Sequence, residues 1–129
     1  MKLSTAIRKG CKLAPRKANG SFVVGENDNT DNGPVGARCA LGAAGLILGT
    51  KSERSTVRKA LGKKSVIVKV PVKFSYWLNQ TSQVSDNSDG SLDNITEVDI
   101  DLQEFVINLN DDLGLPRYKI ANILERMGF

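Results

Sequence analysis

Residues 37–49 read ARCALGAAGLILG, and this stretch decides how the chain is built. With Gly36 in front of it, glycine and alanine occupy most of one surface. Each glycine costs a helix about 1 kcal/mol relative to alanine, so a helix here needs a second backbone packed closely against it in compensation. Asn32-Gly33-Pro34 is read as the opening of that helix and Gly49 as its end. The expectation is a central, buried helix. Cys39 would lie one turn into it, where two roles compete. Arg38 and the helix N-terminus could favour a thiolate, whereas free cysteine is among the most buried residue types. The chain holds no histidine to act as base, so the packing role is expected.

Working outward towards the N-terminus, Leu3, Ile7 and Cys11 recur at i, i+4 and i+8, which predicts a helix over 3–13 that ends before Pro15. Asn19-Gly20 is a turn signal ahead of the apolar Phe22-Val23-Val24. Residues 26–33 imitate the front of a calcium loop with Asp28, Thr30, Asn32 and Gly33. The twelfth position falls on Cys39 instead of a carboxylate, so calcium binding is not expected.

Towards the C-terminus, Ser52 can cap a helix carrying ERSTVRKAL that stops at Gly62. Val66, Val68, Val70, Val72 and Phe74 then alternate with Lys69 and Lys73, which predicts a half-buried strand over 66–74, and Pro71 suggests an edge position. Residues 79–94 are Ser, Asn, Asp and Gln with few apolar side chains and read as a long mobile loop. Asp101 and Glu104 form a capping box ahead of a helix that Gly114 ends. Pro116 begins the last helix, so the C-terminal part reads as an αα-hairpin.

At 129 residues the chain fits a single domain over 1–129 with an aliphatic core, since aromatics make up only 5%. No apolar run reaches the ~18 to 20 residues of a membrane span, and the N-terminus lacks a signal peptide's apolar core. A cytoplasmic location in a bacterial cell or phage-infected host, with no membrane partner, is therefore expected. Without histidine, the chemistry of Cys-His and Ser-His nucleophiles and of imidazole zinc sites is excluded. No catalytic residue, metal or cofactor is assigned.

Charge is distributed unevenly. Residues 1–75 hold 15 Lys and Arg against 4 Asp and Glu, while residues 76–129 hold 3 against 10. The basic half can be a phosphate-binding surface or a solvated face neutralised within the fold. Its candidate binding residues are Arg54, Arg58, Lys59, Lys63, Lys64, Lys69 and Lys73, with Lys51 beside them and Tyr76 and Trp77 following. Asp99, Asp101, Asp111 and Asp112 could pair as acid-base carboxylates, but structural ties are expected. Arg38 or Arg117 are the cations expected to hold Asp111 and Asp112 at their helix end.

The Cys39-Ala40-Leu41-Gly42-Ala43 segment, the later Asn110-Asp111 pair and the final helix with Ile120, Ala121 and Leu124 resemble a family of small uncharacterised bacterial and phage proteins. The resemblance covers about half the chain. It implies a mainly helical core and a microbial or viral origin, with the valine-rich strand and the Ser/Asn loop as insertions. No reaction comes with it.

The combined expectation is an α+β fold, mainly helical, with a short strand or small sheet around 66–74. The expected function is that of a non-enzymatic interaction protein with a protein partner. Nucleic-acid binding through the basic residues of 51–73 is the alternative, and a cysteine-dependent enzyme centred on Cys39 comes third. Homo-oligomerisation stays open.

Overall fold

Two helices meet backbone to backbone at the centre of the molecule. In the computed structural model, which describes residues 1–25, 33–49, 53–62, 64–71, 83–86 and 95–129, these are α1 (Leu3–Leu13) and α2 (Ala40–Leu48). A Cβ on Gly10 would overlap the carbonyl oxygen of Ala43 and fall 2.9 Å from its Cα. The small residues of α2 also admit the 20–25 segment, because a Cβ on Gly42 would overlap the carbonyl oxygen of Phe22. A Cβ on Gly45 would come within 2.8 Å of the Phe22 ring. These close approaches are the compensation that a glycine-rich helix requires.

α2 starts later than its sequence suggests. Pro34 lies in a turn closed by Gly36 N–H donating to Gly33 O at 3.2 Å, and Gly36 adopts φ +71, which no right-handed helix accommodates. Residues Ala37–Arg38 then form strand β2, antiparallel to β1 (Val23–Val24) with Val23 opposite Arg38. Arg38 N–H donates to Arg16 O at 2.9 Å, so neighbouring segments already use the backbone groups a helix would need here. Cys39 is consequently the N-cap of α2, not a residue one turn inside it. Gly49 is the C-cap, as its position predicts.

α3 (Glu53–Leu61) buries Val57 and Leu61 and packs against α2. Gly62 at φ +56 ends it, while Ser52, its predicted cap, lies outside the described residues. The second sheet follows, with β3 (Ser65–Pro71), β4 (Gln83–Asp86) and β5 (Ile95–Asp101) in the order β3-β5-β4 and both pairings antiparallel. Along β3, Val66 is buried and Val68 packs on the core, while Ile67 is exposed. Pro71 sits on an edge strand, as its presence in the sequence suggests. Residues 72–74 of the predicted strand lie outside the described residues.

Part of the predicted 79–94 loop is strand. Gln83–Asp86 pairs with β5, placing Val84 opposite Val98. The polar composition misleads because β4 is an edge strand whose backbone completes the hydrogen bonding of β5, a role any side chain tolerates. The remainder of 79–94 lies outside the described residues.

β5 runs straight into α4 (Leu102–Ile107), with Asp101 ending the strand and capping the helix by accepting from Glu104 N–H at 3.4 Å. The helix continues as a π-helical turn, Asn108–Asp112, and Gly114 at φ +61 reverses the chain. α5 (Arg117–Arg126), with Pro116 as N-cap, completes the C-terminal helical pair and lies along α1. Arg8 ties it there, donating to Asn122 Oδ1 and Glu125 Oε2, both at 2.7 Å. The Arg8 hydrogen bond and charge hold the Glu125 carboxyl below its usual range. Among the described residues, a single apolar cluster runs from Leu3 and Ile7 through Ala40, Val57, Ile100 and Val106 to Ile120 and Leu124. The fold is thus a small, mainly helical α+β structure. No helix among the described residues is long and apolar enough to cross a membrane.

Candidate functional site

Buried polar ties hold the N-terminal end of α2 against three other segments. Arg38 has no exposed surface; its Nε donates to Val35 O at 2.8 Å, its Nη1 to Gly42 O at 3.2 Å, and it pairs with Glu53 of α3. Arg117 donates to Arg38 O at 3.1 Å and to Pro15 O at 2.8 Å. Asn110, buried in the π-helical turn, accepts from Ala40 N–H at 3.1 Å and donates to Ala18 O at 3.0 Å. Its amide also donates to Asp111 Oδ1 at 2.7 Å, and Gly20 N–H donates to the same oxygen at 2.9 Å.

Asp111 is therefore not held as its sequence position suggests. Arg38 gives its carboxylate contact to Glu53, and Arg117 spends its donors on carbonyls. The π-helical turn swings Asp111 towards the 18–20 segment, where Lys17 is the nearby cation, itself donating to Asn110 O at 3.0 Å. Asp101 serves as the expected cap.

A cleft of about 310 Å³ opens between these tied segments. Its apolar lining comes from Phe22, Leu41, Val57, Val106 and Ile107. The polar lining is Arg54 and Arg58 of α3, Gln103 of α4, and Asn110 and Asp111, with Cys39 at the start of α2. Arg54 and Arg58 stand one helical turn apart, and the Arg54 guanidinium rests 5.4 Å from the centre of the Phe22 ring. Two cations thus mark the α3 wall of a mostly apolar hollow, and one carboxylate marks the wall formed by the π-helical turn.

No protein-family model, curated protein or solved structure matches this chain. The arrangement of its own residues carries the functional reading.

The basic residues singled out from sequence are divided by the fold. Arg54 and Arg58 line the cleft and Lys59 is exposed on the same helix. Lys64 lies elsewhere, 5.9 Å from the centre of the Phe129 ring, beside a separate hollow of about 450 Å³. Lys69 belongs to β3, opposite Glu97 on β5. Lys51, Lys63, Lys73, Tyr76 and Trp77 lie outside the described residues, as do residues 26–32 of the calcium-like loop. Among the described residues, no group of three or more His, Cys, Asp and Glu could hold a metal ion. Phe22 and Gln103 escape a reading of the sequence, because each reaches the cleft only through the docking of its own segment.

Cys39 is 9% exposed and accepts from Gly42 N–H at 3.3 Å. Burial pushes its thiol above the ordinary value of 9.0 and outweighs the lowering by backbone N–H groups. The unfolded chain therefore releases this proton at a lower pH than the folded one. The stabilising contribution is complete below the unfolded value and is lost as pH rises beyond it. Burial raises Cys11 in the same sense, whereas Lys17, held below 10.5 mainly by its burial, works oppositely. We expect urea melts to show stability falling between pH 8 and pH 10, and Cys39→Ser, which puts a capping oxygen in place of the sulfur and does not titrate, to reduce that fall. An unchanged slope in the variant would remove Cys39 as its source.

Proposed function

We propose that this chain is a non-enzymatic interaction protein of bacterial or phage origin that engages a partner protein through the α3 side of the cleft. One observation carries the reading: Arg54 and Arg58 have no carboxylate partner among the described residues, and they flank a hollow in which the apolar side chains Phe22 and Ile107 are half-buried. An arginine laid against an aromatic ring beside an apolar hollow is the kind of anchor that dominates protein–protein affinity. A binding role is favoured over catalysis by the raised pKa of Cys39, by the structural hydrogen bonds on Asp111 and by the absence of histidine from the sequence. The resemblance of the Cys39–Ala43 segment to small bacterial and phage proteins supports the origin.

The test places a photoreactive benzoylphenylalanine at exposed Lys59 in cells that encode the protein. The expected result is one nuclease-resistant, protein-containing adduct that disappears in Arg54→Glu/Arg58→Glu. The cross-linked partner is then purified and its binding measured against both forms. No adduct, or an adduct indifferent to the charge reversal, overturns the reading.

Nucleic-acid binding is the second reading, favoured by Arg54, Arg58 and Lys59 all lying exposed on one helix. Titration with short duplexes and single strands decides it. A steep loss of binding with salt supports phosphate contacts, and no binding at low salt ends this reading.

A further inference from the structure

We infer that the cleft recognises a partner segment in which a large aliphatic side chain is followed directly by a carboxylate, as in a Leu-Glu pair. This rests on the protein-binding reading and specifies its ligand. The lining is polarised: Arg54 and Arg58 come from α3, and Asp111 comes from the π-helical turn. A carboxylate is attracted to the α3 wall and repelled from the other, so the field admits one anionic end and fixes its direction.

Between the charged walls the lining is apolar: half-buried Phe22 and Ile107 offer surface while Leu41, Val57 and Val106 are almost wholly buried, and this company favours an uncharged body. A volume of about 310 Å³ suits one large side chain and its neighbour, at the small end of the range for ligand sites. Arg54 rests over Phe22, which holds the guanidinium while its edge N–H groups stay available to a carboxylate. The same contact argues against a nucleobase. Among the described residues Phe22 is the only aromatic one of this lining, and Arg54 already lies over it, so no described ring is left for stacking.

The probes are the capped peptides acetyl-Gly-Leu-Glu-Gly-amide, its Gln and Gly counterparts at the Glu and Leu positions, 4-methylpentanoate as a free acid, and oligo(dT). Binding is followed by amide chemical shifts of the 15N-labelled full chain. The Leu-Glu peptide is expected to shift Ser21, Phe22, Leu41 and Gln103 saturably. The Gln counterpart, and Arg58→Gln with the parent peptide, are expected to bind about tenfold more weakly, the ratio for one charge-assisted hydrogen bond, and the Gly counterpart about tenfold more weakly through the apolar burial it loses. Arg58 is exposed, so a spectrum otherwise unchanged in the variant establishes that its fold is kept.

No saturable shift, or equal binding of the Leu-Gln peptide, overturns the inference. So does binding of the free acid or oligo(dT) in preference to the peptide. If the cellular adduct at Lys59 survives while the peptide fails, only this ligand assignment falls. If the adduct is absent or ignores charge reversal, the protein-binding reading falls with it.

Discussion

An alanine at Gly10 is expected to destabilise the protein by about 3 kcal/mol and to lower its Tm by roughly 10 °C. The sign is the informative part. Gly10 lies inside α1, where exchange for alanine would otherwise favour the helix by about 1 kcal/mol. Here the new Cβ would overlap the Ala43 carbonyl oxygen, and the obstruction is backbone of a buried helix that cannot turn aside like a flexible side chain. Either α1 moves away from α2, opening voids around Ala6, Ile7 and Ala44, or both helices bend. Gly20→Ala is the control. Gly20 has φ +73 but nothing within 4 Å of a Cβ, so its substitution carries only the left-handed backbone cost of about 1 to 2 kcal/mol. Thermal and urea melts of both variants measure the difference. A Gly10→Ala protein as stable as the parent would mean that the α1–α2 approach is looser than described.

That approach was readable from the alanine and glycine content of residues 37–49, and so were several element ends. Gly49, Gly62 and Gly114 close helices, and the Val66–Ile67–Val68 alternation of buried and exposed side chains follows the pattern of a half-buried strand. The start of α2 was not readable. It depends on Gly36 adopting a positive φ and on residues 37–38 bonding to segments 16 and 23–24, pairings that leave no local periodicity. β4 was hidden for a related reason, since its strand conformation is set by the free edge of β5. The cleft was legible only as a basic helix. Arg54 and Arg58 announced themselves by charge, whereas Phe22 arrives from one distant segment and Gln103 and Asn110 from successive turns of another. Asn110 owes its role to a π-helical turn, a one-residue change in winding that hydrophobic spacing does not encode.

Glu53→Gln is expected to cost about 2 to 3 kcal/mol, because it removes the Glu53 carboxylate from the charged, wholly buried Arg38 guanidinium. Two carbonyls, Val35 O and Gly42 O, still accept from Arg38, which keeps the loss below that of an isolated buried charge. Arg38→Met acts differently. The Glu53 side chain is 30% exposed and can turn to solvent, so little of the cost comes from a stranded carboxylate. The loss arises instead where the first turn of α2 is released from the 35–38 segment, and about 3 kcal/mol is expected. Since each single change already breaks the pair, the double variant Arg38→Met/Glu53→Gln is expected to fall short of the sum by 1 kcal/mol or more, about the coupling of a buried pair. Urea melts of the four proteins close the cycle. Strict additivity would show that the pair contributes no mutual attraction. Because Glu53 begins the helix that carries Arg54 and Arg58, the same variants also test whether this pair sets the position of the cationic wall. If it does, Glu53→Gln weakens Leu-Glu peptide binding while leaving both cleft arginines in place.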